Sequence, residues 1–247
     1  MTYIEEIPLE PVAVTLRPVE VERMFSASLQ PPRYVLDRIC PRGVVTLLGA
    51  HGGSGKSLLA LVLAAHVAAG RAFGDIDVCP GRALFVSLED SGDVVLHRLR
   101  RIVEAFGLST RAVTEGLAIL DGTDADAALA SEYALDGVRR IGPTASMHAL
   151  ADAAPGHDLI VVDNASDAFD GNENDRRQVR AFVRALAAIA KANDAGLILL
   201  AHVDKASAKF GSNANTYSGS TAWHNSCRSR LAMVSDESGV ELVHEKS

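Results

Sequence analysis

Residues 50–57 combine the residue types that a phosphate-binding loop needs. They read Ala50-His51-Gly52-Gly53-Ser54-Gly55-Lys56-Ser57, which is a P-loop with alanine at the first glycine position. The glycines let successive backbone N–H groups turn inward toward phosphate oxygens. Lys56 would place a positive charge at the β- and γ-phosphates, and Ser57 would offer its hydroxyl to Mg²⁺ at the start of a helix. The motif therefore predicts a nucleotide-binding site.

Acidic residues at the ends of two apolar runs would complete this chemistry. Asp163 follows one such run and matches a Walker B aspartate, which holds Mg²⁺. Glu89 and Asp90 follow the other run, and hydrolysis needs a carboxylate that orients and deprotonates a water molecule. Because Asn164 and not a glutamate follows Asp163, the base is expected on the other strand. Glu89 is the first candidate, and Asp90 is the alternative.

The pattern around these motifs predicts the elements that hold them. Apolar runs typical of buried strands alternate with segments of helical periodicity, which indicates a parallel sheet covered by helices on both faces. Residues 230–234 and 240–244 read as a hairpin. We therefore predict an α/β fold with a mostly parallel, twisted sheet and a C-terminal antiparallel hairpin. Residues 1–30 contain several prolines and are predicted to form an N-terminal arm before a domain at residues 31–247.

Length and composition exclude other classes of protein. The chain has 247 residues, of which 48% are hydrophobic and 22% charged, so it can bury a large core and is neither disordered nor a coiled-coil rod. Its three cysteines lie far apart and form no disulfide framework or CxxC site. No apolar stretch is long enough to span a bilayer, and the N-terminus does not have the pattern of a signal peptide. We predict a cytoplasmic protein without membrane contact.

The order of these motifs resembles that of the RecA-like ATPases, in particular the RepA-like group of hexameric replicative helicases from plasmids and phages. The resemblance extends from about residue 31 to residue 233. Besides the P-loop and the two acidic strands, it rests on Leu199-Leu200-Ala201-His202 and on Gly219-Ser220-Thr221-Ala222-Trp223, which leads to Arg228. It implies a RecA-like core, ATP and Mg²⁺ as cofactors, and a homo-oligomeric ring of six subunits with ATP at each interface.

The resemblance also implies roles for individual residues. The implied catalytic residues are Glu89, Lys56, His202 and Arg228, and the implied metal ligands are Ser57 and Asp163. His202 matches a sensor of the γ-phosphate. Arg228 matches an arginine finger that acts on the ATP of the neighbouring subunit, where a guanidinium suits the charge that spreads over the phosphoryl oxygens. Arg230 lies two residues further on and is the alternative finger.

The resemblance places single-stranded DNA against two loops, one after the Walker B strand and one after the histidine strand. The net charge of −7 restricts such contact to a locally basic region. The first loop, residues 165–175, is acidic and therefore a poor DNA surface. The second, residues 203–218, is mildly basic and rich in small residues, which suits contact with phosphates and bases. Its candidate DNA-binding residues are Lys205, Lys209 and Phe210.

A helix predicted at residues 175–193 has a basic face opposite its apolar face. The basic residues are Arg177, Arg180, Arg184 and Lys191. Charges along one side of a helix are usually solvated. A contact between subunits, or a lining of the pore of a ring, is the alternative.

Two functions fit these predictions. The first is a ring-forming DNA helicase or DNA-stimulated ATPase in the replication of plasmids, phages or mobile elements. The second is a nucleotide-dependent regulatory or recombination-mediator ATPase that does not unwind DNA. The candidate glutamate, histidine and arginine favour ATP turnover over passive binding. A small-molecule kinase is a third possibility, but no lid or substrate-binding segment is recognisable.

Overall fold

A computed structural model describes residues 18–26, 29–124, 127–202, 221–236 and 239–246. The chain divides into two compact units, Met1–Pro31 and Pro32–Ser247. The described part of the first unit contains a short 3₁₀ helix, Val21–Phe25, none of whose residues is buried.

Strands and helices alternate along most of the second unit. Its described strands are β1 (Tyr34–Leu36), β2 (Cys40–Pro41), β3 (Val45–Ala50), β4 (Ala83–Ser87), β5 (Leu117–Asp121), β6 (Ala130–Leu135), β7 (Val138–Pro143), β8 (Leu159–Asp163), β9 (Phe169–Asp170), β10 (Gly196–His202), β11 (Ser229–Asp236) and β12 (Gly239–Lys246). Its described helices are α1 (Lys56–Ala69), α2 (Gly92–Phe106), α3 (Thr110–Gly116), α4 (Ala145–Ala153), α5 (Ala165–Ala168), α6 (Arg176–Ala192) and α7 (Thr221–Ser226). None of these helices has the length and apolar character needed to cross a membrane.

Seven strands form the central sheet, in the order β12-β11-β3-β10-β8-β4-β5. All neighbouring pairs are parallel except β11 and β12, which form an antiparallel hairpin. The predicted α/β class, the mostly parallel sheet and the C-terminal hairpin are therefore confirmed. Parallel pairing brings the carboxyl ends of β3, β4, β8 and β10 to one edge of the sheet, where His202 aligns with Ala50 and Ser87 aligns with Asp163.

Separate layers of helices bury the two faces of this sheet. In β10, Leu197 and Leu199 pack in a core with α4, α5, α6 and α7, whereas Ile198 and Leu200 pack in a second core with α1, α2 and α3. Burial on both faces explains why these strands read as continuous apolar runs. Helix α1 is buried around most of its circumference, which explains its apolar sequence on all sides.

A smaller sheet of three strands has the order β7-β6-β9. Strands β6 and β7 form a hairpin whose turn residues, Asp136 and Gly137, have φ values of 52° and 75°. Positive values at both positions are typical of a two-residue hairpin turn. The sequence did not predict this hairpin, because its strands are mostly exposed or half-buried and have no continuous apolar run.

Candidate active site

The loop at residues 51–55 connects β3 to α1 at the carboxyl edge of the central sheet. Gly53 and Gly55 have φ values of 76° and 88°, in the left-handed region that residues with a Cβ rarely adopt. A Cβ added at either glycine would meet no atom of the described residues within 4 Å. No side chain in the described part of the chain caps the start of α1, so its first backbone N–H groups suit an anion.

Lys56 and His202 meet beside this loop. Lys56 begins α1 and is only 5% exposed, and its Nζ lies 3.4 Å from Nε2 of His202. His202 reaches this position because it ends β10, which pairs with β3 so that His202 lies beside Ala50. The ammonium donates to Nε2 when the imidazole is neutral and carries its proton on Nδ1. The structure thus joins the predicted sensor histidine to the predicted phosphate-binding lysine.

Asp163 and Ser57 form a second pair at the same edge. Asp163 ends β8 and is 1% exposed, and its carboxylate accepts a hydrogen bond from the Ser57 hydroxyl. Its Oδ1 is buried and has no hydrogen-bond partner among the described residues. Burial raises the pKa of Asp163, the Ser57 hydrogen bond and the Lys56 charge lower it, and the charges of Glu89 and Asp90 raise it further. A buried, unpartnered carboxylate oxygen beside a hydroxyl suits a hard cation such as Mg²⁺.

Glu89 lies near Asp163 because β4 and β8 are neighbours that align Ser87 with Asp163. The Oε2 of Glu89 accepts a hydrogen bond of 2.8 Å from Nδ2 of Asn164. The Oδ1 of Asn164 in turn accepts bonds from the first backbone N–H groups of α5 and caps that helix. These bonds hold the amide so that its donor end faces Glu89. The sequence did not identify this role of Asn164, although an asparagine before a short helix is a common cap.

Asp90, the alternative base, is occupied by another partner. Both of its carboxylate oxygens accept hydrogen bonds from Arg98 of α2, and the bond from Nη2 to Oδ1 is 3.3 Å long. Glu89 is exposed and bonds only to Asn164 among the described residues. The Glu89 carboxylate is therefore less occupied by protein partners than that of Asp90.

Arg228 does not join this site within its own chain. Strand β11 pairs in parallel with β3 and aligns Ser229 with Thr46, so Arg228 lies at the amino edge of the sheet. The P-loop follows the other end of β3, roughly 15 Å away at the rise of a strand. Arg228 is exposed, whereas Arg230 is 7% exposed and donates from Nη1 to the carbonyl of His224 at 3.0 Å. Of the two, Arg228 has the side chain that can reach another molecule.

The structure describes only one of the two loops that were predicted to contact DNA. Lys205, Lys209 and Phe210 lie outside the described residues. The acidic loop at residues 165–175 forms α5, β9 and the turn into α6. Burial raises the pKa of Glu173 in this turn, and the neighbouring His202 lowers it. The acidic loop therefore lies close to the candidate nucleotide site, a proximity that the sequence did not reveal.

A cleft of about 840 Å³ extends from the P-loop along α1, α2 and the β11–β12 hairpin. Ser54 and Gly55 lie in its wall together with His97 of α2. Its apolar lining includes Leu58, Leu59, Val62, Phe73, Met233 and Leu242. The volume lies within the range of about 300–1,000 Å³ that is usual for small-molecule sites. The sequence did not identify this cleft, because its walls come from elements that are distant along the chain.

Comparison with known proteins identifies the family and the fold. Residues 10–208 match the model of the AAA_25 family, which is described as an AAA domain. The chain is also similar to the crystal structure of the RadB recombinase, with a TM-score of 0.53 and 16% identity over 84% of this chain and 82% of that chain. This likeness supports a RecA-like fold. The chain belongs to the AAA_25 family of AAA domains and has the fold of a RecA-like P-loop ATPase.

Proposed function

We propose that this chain hydrolyses ATP with Mg²⁺ and that several copies assemble into a DNA-dependent motor. The observation that supports hydrolysis is the convergence of four parts at one edge of the sheet. The P-loop, Asp163, Glu89 and His202 follow or end four different strands, and the register of the sheet brings them together. A phosphate-binding loop alone would explain binding. A carboxylate held in place beside it explains hydrolysis.

The residues at this edge fit a magnesium–nucleotide complex. Asp163 has a buried Oδ1 without a partner among the described residues, and the Ser57 hydroxyl lies beside its carboxylate. Bound Mg²⁺ would neutralise charge on the β- and γ-phosphate oxygens. No three His, Cys, Asp or Glu side chains in the described ranges are grouped as metal ligands. Asp163 and Ser57 would therefore share the ion with the phosphates and water, as is usual for Mg²⁺.

The remaining side chains have roles that follow from their contacts. Lys56 would bind the phosphates through its ammonium. Glu89, held by Asn164, would orient the attacking water and accept its proton. His202 contacts Lys56 and would respond to the presence of the γ-phosphate. The apolar cleft that begins at Ser54 and Gly55 would take the nucleoside, because it is continuous with the P-loop.

Arg228 would act on the nucleotide of a neighbouring copy. It is exposed at the amino edge of the sheet, and the P-loop of its own chain lies at the carboxyl edge. A contact between the amino edge of one copy and the carboxyl edge of the next is heterologous, and such contacts form a closed ring when the rotation between copies closes and a helical filament when it does not. A hexameric ring that uses single-stranded DNA, as in RepA-like helicases, is the assembly that we propose.

A recombination-mediator or regulatory ATPase without unwinding activity is the second candidate. The fold is shared with a protein described as a recombinase, so the architecture suits either activity. The two candidates share the nucleotide site and differ in what ATP turnover drives. Displacement of a strand from a forked DNA duplex separates them, because only the helicase would show it.

ATP turnover with and without single-stranded DNA, combined with molecular mass by light scattering, tests the proposal. We expect turnover that requires Mg²⁺, increases with DNA and accompanies an oligomeric mass. The Glu89→Gln variant should bind ATP with Mg²⁺ but lose turnover, whereas the matched Asp90→Asn variant should keep more of it, because Arg98 already occupies Asp90. A monomer whose turnover ignores DNA would refute the motor. Full turnover in Glu89→Gln would remove Glu89 from its role.

A further inference from the structure

Helix α6 presents a row of arginines on the side opposite its buried residues. Its buried residues include Val179, Phe182, Val183, Leu186 and Ala190. We call Arg176, Arg177, Arg180 and Arg184 the arginine face. Successive members at a spacing of four residues are separated by about 6 Å along the helix axis. The arginine face therefore offers guanidinium groups at regular intervals along one surface.

Three members of the arginine face differ from Arg100 and Arg111, which have acidic partners on their own helices. On α2, Arg100 pairs with Glu104, and on α3, Arg111 pairs with Glu115, each at a spacing of four residues. By contrast, Arg177, Arg180 and Arg184 form no ion pair with the described part of the chain.

The stability of α6 does not explain this arrangement. Arg180 and Arg184 are like charges four residues apart, and such pairs destabilise a helix. Arg177 lies in the first turn of α6, where the helix dipole disfavours cations, and the Asp175 carboxylate that caps this turn is already engaged by backbone N–H groups. A bound anion would remove both unfavourable effects. The arrangement is therefore typical of a surface that receives an external negative charge.

Two adjoining clefts lie along the arginine face. The first, of about 400 Å³, is lined by Ala181 and all four members of the face. The second, of about 420 Å³, shares Arg180 and Arg184 and continues to Arg228. Among the described residues, no acidic side chain lines either cleft, and none of the large exposed apolar side chains does so. Protein interfaces usually need an apolar centre, whereas nucleic-acid interfaces are polar and positive.

We propose that the arginine face binds the phosphate backbone of single-stranded DNA without reading its sequence. Guanidinium groups match phosphate geometry through paired hydrogen bonds, and regular spacing along the helix suits a chain of phosphates. The site lies outside both loops that the family resemblance implied. The inference rests on the proposed function in taking DNA as the ligand, but it requires no ATP hydrolysis.

Fluorescence anisotropy with a labelled oligothymidylate, measured over a range of salt concentrations, tests this site. The variant is Arg177→Gln/Arg180→Gln/Arg184→Gln, with Arg228 unchanged. Its affinity should fall about tenfold or more, and its salt slope should shrink by about two, since each phosphate contact on a single strand contributes roughly 0.7. The single Arg180→Gln variant should reduce the salt slope by about a third as much as the triple variant does. Melting temperatures should not fall, because repulsion is removed.

The matched control removes three exposed arginines that already have acidic partners. It is Arg38→Gln/Arg100→Gln/Arg111→Gln, and its affinity for the oligonucleotide should remain close to that of wild type. Equal binding by the test and control variants would overturn the proposal. A test variant that loses DNA binding only because its oligomeric mass collapses would also overturn it, and would make the arginine face an interface between copies.

Binding and hydrolysis can fail separately in these measurements. If the wild type hydrolyses ATP but does not bind the oligonucleotide, the arginine-face proposal fails and the ATPase proposal stands. If the wild type binds the oligonucleotide through the arginine face but does not hydrolyse ATP, the ATPase proposal fails and the DNA site stands.

Discussion

The amide of Asn164 donates a hydrogen bond of 2.8 Å to the carboxylate of Glu89. The two residues follow neighbouring strands, and the other end of the same amide caps α5. Asn164 therefore connects the end of the Walker B strand to the candidate general base. In this role it would act on hydrolysis through Glu89, which makes it a positioning residue.

Replacement of Asn164 by aspartate should lower ATP turnover by roughly 10- to 100-fold, because a carboxylate in place of the amide repels Glu89 and removes its donor. The new side chain keeps an oxygen that can cap α5. Steady-state turnover and equilibrium binding of ATP with Mg²⁺ are the two measurements. We expect kcat to fall while nucleotide affinity remains within a few-fold of wild type.

The Asn164→Ala variant is the comparison for this prediction. It removes both the bond to Glu89 and the cap of α5, so it should lose thermal stability as well as turnover, with a cost of about 1 kcal/mol for the cap. If Asn164→Asp and wild type turned over ATP at the same rate, the positioning role would be wrong.

Replacement of Asp163 by asparagine should stabilise the nucleotide-free protein. Burial raises the pKa of the Asp163 carboxyl above its unfolded value of 3.8, so the ionised form destabilises the fold at neutral pH. This penalty is absent below the unfolded pKa, grows as the pH rises from the unfolded to the folded pKa, and is fully present above the folded pKa. We therefore expect the Tm of Asp163→Asn to exceed that of wild type at pH 7.

Thermal denaturation at pH 7 and near pH 4 checks the direction of the pH dependence. The difference in Tm between Asp163→Asn and wild type should be smaller at the lower pH. The same variant should lose the part of its ATP affinity that depends on Mg²⁺. Asp158→Asn is the matched control and should lower the Tm, since Asp158 accepts a bond of 2.9 Å from Arg42. A lower Tm for Asp163→Asn than for wild type at pH 7 would contradict the prediction.

Arg228 and Arg230 should respond differently to alanine. Arg230→Ala removes a buried side chain that donates to the carbonyl of His224, and it should cost about 1–3 kcal/mol of folding free energy. Arg228→Ala removes an exposed side chain and should leave the Tm within a degree or two of wild type, since surface changes usually cost about 0.5 kcal/mol or less. Thermal denaturation of the two variants shows which arginine stabilises the fold and which is available to contact another molecule.

Mixing two inactive variants tests whether Arg228 acts in a neighbouring copy. Lys56→Ala should lose phosphate binding and Arg228→Ala should lose the finger, so each alone should hydrolyse little ATP. In a mixed ring, some interfaces combine an intact P-loop from one variant with an intact Arg228 from the other, so ATP turnover should reappear on mixing. The absence of any recovery in mixed oligomers of confirmed mass would count against action between copies.

The cysteines should differ in reactivity toward a thiol reagent. Burial raises the pKa of the Cys40 thiol to about 12, and Cys227 is 1% exposed, whereas Cys79 is exposed. Because the thiolate is the reactive form, the native protein should label at Cys79 alone, and all three cysteines should label after unfolding. Mass spectrometry of labelled peptides makes the assignment, with Cys79→Ser as the control. Labelling of Cys40 in the native protein would show that its core opens.

Local sequence determined the P-loop and the elements on either side of it. The glycines, the lysine and the serine of residues 50–57 are adjacent in the chain, and their chemistry depends on backbone freedom and helix polarity. The continuous apolar runs of β3, β8 and β10 also follow from local composition, because a strand buried on both faces must be apolar throughout. These signals were sufficient to predict the α/β class, the parallel sheet and the C-terminal hairpin.

The order of the strands in the sheet decided which residues from other strands meet at the site. Lys56 contacts His202 because β3 and β10 are neighbours, and Asn164 contacts Glu89 because β8 and β4 are neighbours. Neither pairing can be derived from composition or periodicity, because strand order is a non-local property of the sheet.

The choice between Arg228 and Arg230 likewise depended on tertiary structure. Residues two apart in a strand share a face, so periodicity does not separate the two arginines, and only the family resemblance favoured Arg228 over Arg230. In the fold, however, Arg228 precedes β11 and is exposed, while Arg230 lies within β11 and is buried. The sequence by itself determined the chemistry that the P-loop can perform. The packing of strands and helices decided which distant side chains lie beside it, because only the folded sheet sets their distances and exposure.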